Sequence, residues 1–285
     1  METRQAAHTA AEALRAGVTA LAATPSAADA PALTAQALLA ATLGLSRTQL
    51  LAHPERILSA AEQAAFASAL ARAAAGEPLA YVLGRREFYG LDLEVTPAVL
   101  VPRPETELLV ELAVARKPRR ALDVGTGSGC IAVALAVNVP AVQVTALDVS
   151  PAALAVAARN AQRHGVSERI TFRPSDLLAA LPPTPAYDLL CANLPYIDSA
   201  ELATLPVAAH EPRLAFDGGP GGLALIERLL AAAPPYLTPG AALLLEIGAD
   251  QGPRALALAQ AAWPTATAAI ARDLAGLDRV LTITL

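Results

Sequence analysis

The heptapeptide at residues 123–129 reads Asp123-Val124-Gly125-Thr126-Gly127-Ser128-Gly129. The apolar segment 120–124 leads into its glycines with the length and composition of a buried strand, and the apolar run 130–137 that follows is typical of a helix. Glycine permits tight turns and lets a ligand approach the backbone at a helix N-terminus. The sequence therefore predicts a strand, a glycine loop and a helix that form a ligand site.

The same succession of strands and helices continues to the end of the sequence. Further strands are predicted at 142–148, 170–173, 187–192, 241–247 and 279–285, and further helices at 151–164, 223–233 and 250–262. Ser150 is the expected N-cap of the helix that begins at Pro151. This alternation is typical of an α/β fold, in which a mostly parallel sheet carries helices on both faces.

The first part of the sequence has a different character. From Thr3 to Ala75, alanine and leucine recur at helical spacing, with breaks at Thr24-Pro25-Ser26, Gly44 and His53-Pro54. From residue 84 to 95, apolar residues alternate with acids, which predicts a β-hairpin. We expect a helical substrate-docking domain at 1–75, a linker with the hairpin at 76–105, and the α/β domain at 106–285.

Composition argues against several classes of protein. Hydrophobic residues make up 54% of the sequence and the mean hydropathy is +0.43, which is enough to bury a core. Charges or prolines interrupt every long apolar run, so no membrane span is predicted. The start, Met1-Glu2-Thr3-Arg4, lacks the basic and apolar regions of a signal peptide. We therefore expect a cytoplasmic protein.

The net charge and the cysteine content of the sequence limit the binding partners and metals that we expect. A net charge of −5 and a pI near 5.4 argue against binding that depends mainly on nucleic-acid phosphates. Cys130 and Cys191 have neither a CxxC partner nor a histidine at metal-ligand spacing. We expect buried free thiols and no metal.

Two classes of cofactor loop resemble the glycine segment. The dinucleotide fingerprint G-x-G-x-x-G needs its third glycine one position later than in this sequence. The pattern G-x-G-x-G, with an acid two residues before it, resembles the S-adenosylmethionine loop of class I methyltransferases. The predicted cofactor-binding residues of this loop are Gly125, Thr126, Gly127, Ser128 and Gly129.

The next two predicted strands each end in an acid. Asp148 is placed to accept hydrogen bonds from both ribose hydroxyls of the cofactor. In such folds, the acid Asp176 can accept from the adenine amino group while Leu177 covers the ring. Ser175 or Asp176 could equally serve as a helix N-cap, and the two roles are compatible.

The tetrapeptide Asn193-Leu194-Pro195-Tyr196 follows the fourth predicted strand, at the sheet edge where α/β proteins bind ligands. Carbonyl oxygens and an aromatic ring at this fixed spacing suit a planar group with an NH2, either an amide or an exocyclic amine. In its literal form the tetrapeptide resembles that of the ribosomal RNA adenine dimethyltransferases. Alone, it leaves the methyl acceptor open.

The surrounding segments are similar to a different family, the protein-(glutamine-N5) methyltransferases of peptide chain release factors. The similarity runs from about residue 76 to the C-terminus and rests on segments 76–81, 84–90, 101–107, 125–129, 211–214, 217–219, 245–248 and 273–279. It implies a class I, Rossmann-like fold with a seven-stranded sheet, S-adenosylmethionine as cofactor, and methylation of the glutamine in a Gly-Gly-Gln motif.

The resemblance also implies roles for the tetrapeptide in a direct displacement at the sulfonium methyl. Asn193, Leu194, Pro195 and Tyr196 would hold the substrate glutamine, with Asn193 also next to the cofactor. The side-chain oxygen of Asn193 and the main-chain oxygen of Leu194 would accept the two N–H bonds of the amide. Tyr196 or a nearby aromatic ring would pack against the amide plane.

Position 194 departs from the family, which usually has a proline there. Leucine has the same backbone carbonyl, so the expected loss is φ restriction, about 0.4 to 1 kcal/mol. We therefore expect Leu194→Pro to preserve or modestly improve turnover. Among other polar residues, Glu105 and Thr106 could close over the cofactor or cap a helix, His210 is expected to order a loop, and Glu246 is expected to lie outside the site.

Two other functions compete with this one. An adenine-N6 methyltransferase acting on RNA or DNA would use the same tetrapeptide, although the acidic composition argues against it. A non-catalytic cofactor-binding module would use only the glycine loop. The expected partner is a release factor, with no direct need for nucleic acid, no membrane, and a monomeric enzyme.

Overall fold

The computed structural model describes residues 9–24, 30–204 and 210–285. The chain divides into two compact units, Met1–Gly84 and Arg85–Leu285. The helical character expected for residues 3–8 and the break expected at Pro25-Ser26 lie outside the described residues. The division falls at Gly84, so the predicted hairpin belongs to the second unit.

The first unit is helical. Its helices are α1 (Ala10–Ala22), α2 (Pro31–Thr42), α3 (Arg47–Ala52), α4 (Ala60–Ala74) and α5 (Leu79–Leu83). Capping boxes begin α1, α3 and α4, because the side chains of Thr9, Ser46 and Ser59 each accept from the backbone three residues on. The predicted breaks at Gly44 and His53 are confirmed, since they separate α2 from α3 and end α3.

The second unit begins with the predicted hairpin. Strands β1 (Arg85–Phe88) and β2 (Leu91–Glu94) pair antiparallel, which confirms that part of the prediction. Phe88 and Leu93 are fully buried in the same cluster as the sheet residues. The hairpin is therefore part of the α/β core of this unit.

A seven-stranded sheet forms the centre of the second unit. Its strands are β3 (Arg120–Val124), β4 (Gln143–Asp148), β5 (Ile170–Pro174), β6 (Tyr187–Ala192), β7 (Leu237–Glu246), β8 (Thr267–Arg272) and β9 (Asp278–Thr284). Their order is β5-β4-β3-β6-β7-β9-β8, and β9 alone runs opposite to the other six strands. The prediction of a mostly parallel sheet is confirmed.

Strand β8 is the one strand of the sheet whose position the sequence patterns did not predict. It is an edge strand that pairs with β9 alone, and its residues are exposed or half-buried. Alanine supplies three of its six residues. An edge strand of small side chains lacks the buried β-branched run that marks an interior strand.

Helices cover both faces of the sheet. They are α6 (Thr106–Ala115), α7 (Cys130–Asn138), α8 (Pro151–Arg163), α9 (Ser199–Leu202), α10 (Ala224–Ala232) and α11 (Gly252–Ala262). Ala121 and Leu122 of β3 belong to two different core clusters, one on each face. The predicted α/β fold, a class I Rossmann-like architecture, is confirmed. No helix in the described ranges is both long and apolar enough to span a bilayer.

The strand order creates a switch point between β3 and β6. From β3 the chain moves outward through β4 and β5, then returns to place β6 on the other side of β3. Val124, the last residue of β3, pairs with Ala192, the last residue of β6. Ligand sites of open α/β sheets lie at such a point, outside the carboxyl ends of the strands.

Candidate functional site

The glycine loop and the tetrapeptide start side by side at the switch point. Gly125 follows Val124 and Asn193 follows Ala192, which are paired. A Cβ atom on Gly125 would lie 3.0 Å from Leu194 Cδ2, and the Gly125 φ of 76° favours glycine. The two segments are therefore brought into contact by the parallel register of β3 and β6.

A cavity of about 410 Å³ opens beside these two segments. Its walls include most of the predicted site residues: Gly125, Thr126, Gly127, Ser128, Asp148, Asp176, Leu177, Asn193, Leu194 and Pro195. Gly129 and Tyr196 are not among the lining residues. The lining residues Arg103, Thr106 and Arg228 were not assigned to the site from the sequence, apart from the two roles left open for Thr106.

Gly129 supports the loop from behind. It is the N-cap of α7 with φ 80°, and a Cβ atom there would lie 2.9 Å from Ala157 Cβ on α8. Ser128 is held from the same side, because the buried Asn160 of α8 donates to its carbonyl at 2.9 Å. Helix α8 therefore packs directly against the loop backbone.

Asp123 holds the loop from within the sheet. Its Oδ2 accepts from the Thr126 hydroxyl at 2.6 Å and from the Ala132 N–H at 3.1 Å. Burial raises the pKa of this carboxyl to about 7, against the lowering effect of those two bonds. The acid that precedes the glycines thus shapes the loop and does not line the cavity.

Asp148, the last residue of β4, lines the cavity. Its Oδ2 accepts from the Gly127 N–H at 2.8 Å and its Oδ1 from the Ser150 N–H at 2.9 Å. A carboxylate offers about four acceptor positions, so both oxygens retain capacity for hydroxyl donors. Ser150 is the N-cap of α8, as predicted.

Asp176 and Leu177 line the far part of the cavity. Asp176 is largely exposed and pairs with Arg228 of α10 at 2.8 Å. Leu177 is partly buried with φ 48°. The helix that Ser175 or Asp176 was expected to cap is absent. Residues 176–180 form a bend and turns in its place, and Ser175 Oγ accepts from the Ala180 N–H at 3.1 Å.

The side chain of Asn193 is anchored at one end only. Its Nδ2 donates to Thr106 Oγ1 at 3.0 Å. Within the described ranges, no hydrogen bond ends on Asn193 Oδ1 or on the Leu194 carbonyl oxygen. These two oxygens are therefore free acceptors. The Leu194 side chain is buried, at 4% exposure, in the core cluster on this face of the sheet.

Tyr196 points away from the cavity toward Glu246. Its hydroxyl donates to Glu246 Oε1 at 3.4 Å, and burial raises its pKa to about 12. Glu246 ends strand β7 and is 1% exposed. Burial raises the Glu246 pKa to about 7, opposed by a hydrogen bond from Thr106 and by the charge of Arg279.

The sequence predicts Glu246 outside the site, and Glu246 is not among the residues that line the cavity. Its contacts come from Thr106 and Tyr196, which are distant in the sequence, so no local pattern identified them. One local signal was available: Glu246 is an acid at the end of the fully buried run 241–246. Acids are rarely buried completely unless they are paired, so this position indicated a structural or functional role.

An ion pair joins two segments that line the cavity. Arg103 contacts Glu211 at 2.6 Å, and the other Glu211 oxygen accepts from the Val101 N–H at 3.0 Å. The Glu211 side chain is almost completely buried, whereas Arg103 is half-buried. The neighbouring His210 is exposed. The pair therefore fixes segment 101–103 against segment 211–215.

The cysteines are poorly suited to act as nucleophiles. Cys130 lines the cavity, but burial raises its pKa to about 12, so its thiol stays protonated at neutral pH. Cys191 lies in the core, where burial also raises its pKa. Among the residues that the structure describes, no group of three or more His, Cys, Asp or Glu side chains could hold a metal ion.

The cavity has the features that S-adenosylmethionine requires. The glycine backbone allows close approach, Asp148 keeps free acceptor capacity for ribose hydroxyls, and Asp176 with Leu177 offers an acceptor beside an apolar surface. Asn193 and Leu194, which carry the free acceptors, line the same cavity. The glycine loop and the tetrapeptide therefore line one cavity.

Two protein-family profiles match the chain. Residues 12–84 match the PrmC N-terminal domain, and residues 104–210 match the methyltransferase small domain. A methyltransferase from Pyrococcus furiosus shares the fold, with a TM-score of 0.52 and 18% identity over 76% of this chain and 98% of that chain.

Curated relatives give a more specific result. The chain is 43% identical to the release factor glutamine methyltransferase of Cereibacter sphaeroides, over 95% of this chain and 97% of the relative. It is 45% identical to that of Moorella thermoacetica, over 87% of this chain and 89% of the relative. With this similarity over nearly the whole length, the chain belongs to the release factor glutamine methyltransferase family.

Proposed function

We propose that the protein transfers a methyl group from S-adenosylmethionine to the side-chain amide nitrogen, N5, of the glutamine in the Gly-Gly-Gln motif of peptide chain release factors. The observation that carries the proposal is the pair of free acceptors, Asn193 Oδ1 and Leu194 O, beside the glycine loop. The names of the relatives support a glutamine of a release factor as the substrate.

The residues that would hold the cofactor lie on three loops of the sheet edge. The backbone of 125–129 would contact it, Asp148 would accept from the ribose hydroxyls, and Asp176 with Leu177 would meet the adenine. S-adenosylmethionine supplies a methyl group made electrophilic by the attached sulfonium. The chain's task is to present a nucleophile to that methyl group.

An amide nitrogen is a weak nucleophile because its lone pair is delocalised into the carbonyl. Asn193 Oδ1 and Leu194 O would accept its two N–H bonds, which orients the nitrogen and stabilises the positive charge that develops there. No general base is needed before transfer, because the product nitrogen becomes acidic and loses its proton readily. This fits a cavity whose cysteine is protonated.

The other residues of the tetrapeptide would support this geometry. Pro195 lines the cavity next to the two acceptors, and its ring restricts the backbone. Tyr196, packed behind the cavity with its hydroxyl on Glu246, would hold the turn in place. In this proposal an apolar lining residue, and not the Tyr196 ring, packs against the substrate amide.

We also propose that the enzyme acts in the cytoplasm as a monomer and needs no nucleic acid. The net charge of −5 supports independence from nucleic acid, because phosphate binding requires a basic surface. Light scattering of the purified protein gives its mass in solution. A dimer would contradict the monomeric state. Activity that disappears after nuclease treatment would contradict the independence from nucleic acid.

The test of the proposed function is methylation of a purified release factor. Incubation with S-adenosylmethionine should add the mass of one CH2 group to the peptide that contains Gly-Gly-Gln, and none when that glutamine is replaced by glutamate. Asn193→Ala should reduce kcat by roughly 10²- to 10³-fold. An unmodified peptide at saturating cofactor would refute the proposal, and methylation of adenine in RNA or DNA supplied in parallel would identify the alternative.

A further inference from the structure

A second glycine segment, residues 216–222, packs against the tetrapeptide, although its residues are not among those that line the cavity. It reads Phe216-Asp217-Gly218-Gly219-Pro220-Gly221-Gly222. The Ile197 N–H donates to the Phe216 carbonyl at 3.0 Å, and the Gly218 N–H donates to the Ile197 carbonyl at 2.9 Å. The segment therefore holds the chain directly after the tetrapeptide.

Gln251 holds the carbonyl of Tyr196. Its Nε2 donates to Tyr196 O at 2.8 Å, its Oε1 accepts from the Gly248 N–H at 2.9 Å, and the residue is 6% exposed. A backbone carbonyl only accepts hydrogen bonds and a backbone N–H only donates them. The amide of Gln251 therefore satisfies both partners in one orientation alone.

Two glycines of the segment leave room for these contacts. A Cβ atom on Gly222 would lie 2.7 Å from Gln251 Nε2 and would clash with Tyr196 O. A Cβ atom on Gly218 would lie 2.7 Å from Pro195 O and 2.8 Å from Tyr196 Cα. A side chain at either position would therefore displace the backbone of the tetrapeptide.

The peptide unit between Tyr196 and Ile197 is held at both of its polar groups. Its C=O accepts from Gln251 and its N–H donates to the second glycine segment. The unit is planar, so its orientation is determined by these two bonds. Toward the cavity, the ring of Pro195 restricts φ, and the Leu194 side chain is buried. Few backbone rotations therefore remain that could turn the Leu194 carbonyl.

We propose that Gln251, Gly218 and Gly222 are positioning residues for methyl transfer, which fix the backbone of the tetrapeptide and with it the direction of the Leu194 carbonyl. The inference rests on the proposed function, in which this carbonyl accepts from the substrate amide, and extends that function to residues behind the cavity. A misdirected carbonyl misplaces the attacking nitrogen but removes no group that contacts the cofactor.

The first test replaces Gln251 by methionine or by glutamate at pH 8.5. Methionine removes both hydrogen bonds, whereas ionised glutamate keeps an acceptor for the Gly248 N–H and loses only the donor to Tyr196. Both variants should lower kcat roughly 10- to 100-fold, with the S-adenosylmethionine Kd unchanged. Rates are expressed per cofactor-binding site, counted by titration calorimetry, so that a fraction of unfolded protein does not affect them.

The matched control for this test is Asn138→Leu. It also replaces a side-chain amide that donates to a backbone carbonyl, that of Ala134 at 2.8 Å near the end of α7, and it should keep the wild-type kcat. Wild-type kcat in Gln251→Met, or an equal loss in the control, would overturn the proposal. A loss confined to Gln251→Met would assign the effect to the Gly248 bond and would also overturn it.

The second test compares Gly222→Ala with Gly240→Ala. The two glycines have similar φ, 74° and 79°, but a Cβ atom on Gly240 would meet nothing within 4 Å. The backbone strain is therefore matched, and only Gly222→Ala should lower kcat per site, roughly 10- to 100-fold. Equal kcat in the two variants would overturn the role of the glycine segment. If Gly222→Ala does not fold, the Gln251 variants decide.

Failure of this inference is distinguishable from failure of the proposed function. Wild-type protein that does not methylate the release-factor glutamine contradicts the function itself. Wild-type protein that does so, with Gln251→Met equally active per site, contradicts only the positioning role.

Discussion

Asn193 Nδ2 lies 3.0 Å from Thr106 Oγ1, although the two residues are 87 positions apart in the sequence. The bond connects the tetrapeptide after β6 to the first residue of α6. The amide nitrogen of Asn193 is therefore engaged, whereas its oxygen has no hydrogen-bond partner among the described residues. Asn193 itself lines the cavity.

Asp148 should matter more for cofactor affinity than Asp176. Asp148→Asn removes a charged acceptor, so the S-adenosylmethionine Kd should rise about 10- to 100-fold, as for loss of hydrogen bonds worth 1.5 to 3 kcal/mol. Asp176 is more exposed and already paired with Arg228, so Asp176→Asn should have a smaller effect. Titration calorimetry measures both. A larger effect at Asp176 would contradict the assignment.

Gly129 should tolerate alanine less well than Gly127. Both have positive φ, but only at Gly129 would a Cβ atom meet a neighbour, Ala157 Cβ at 2.9 Å. Gly127→Ala should cost about 1 to 2 kcal/mol of unfolding free energy from strain alone. Gly129→Ala should cost about 2 to 4 kcal/mol, because overpacking adds to the strain. Urea unfolding without cofactor measures both variants. Equal losses of unfolding free energy would show that α8 shifts to accommodate the added Cβ atom at no cost.

Leu194 should contribute to stability as well as to the site. Its side chain is 4% exposed, so Leu194→Ala should cost about 2 to 4 kcal/mol of unfolding free energy. Leu194→Pro should also lower stability, because proline removes the buried contacts of the leucine side chain. We now expect near-normal kcat with stability lower by about 1 to 3 kcal/mol. A large loss of kcat in the folded variant would mean that the 194 carbonyl is not the acceptor.

The Arg103–Glu211 pair should respond asymmetrically to substitution. Arg103→Met leaves the buried Glu211 carboxylate without its charge partner and should cost about 1 to 3 kcal/mol. Glu211→Gln keeps an oxygen for the Val101 N–H, and the half-buried Arg103 can turn to solvent, so the cost should be about 1 kcal/mol or less. Chemical unfolding measures both variants, and the reverse order would refute this account.

Glu246 and Asp123 should make the protein less stable as the pH rises toward neutrality. Both pKa values are raised by burial to about 7, from ordinary values of 4.5 and 3.8. Between about pH 4 and pH 7 the folded state therefore binds more protons than the unfolded state, and stability falls with rising pH.

Glu246→Gln should make the fall in stability with rising pH less steep. The contribution of Asp123 to that fall should remain. Thermal unfolding of both proteins from pH 5 to pH 8 measures the difference. Glutamine has nearly the shape of glutamate and does not titrate, so it isolates the charge. If the profiles of the wild type and Glu246→Gln ran parallel, Glu246 would not be the titrating group.

Local patterns in the sequence were sufficient for most of the fold. The buried run 120–124, the glycines 125–129 and the proline-started helix at 151 each predicted an element that the structure contains. Such patterns succeed because the periodicity of side chains and the φ preference of glycine depend on adjacent residues. Strand β8 was missed because its small, exposed side chains carry no such pattern.

The sequence by itself determined the α/β class, the glycine loop, the acid that ends β4, the acid shortly after β5, and the tetrapeptide. The tertiary structure alone decided that Thr106 meets Asn193, that Leu194 is buried against Gly125, and that Tyr196 lies outside the cavity lining and contacts Glu246. The physical reason is that these contacts join elements far apart in the chain. They depend on the order and register of β3, β6 and β7, which no single segment encodes.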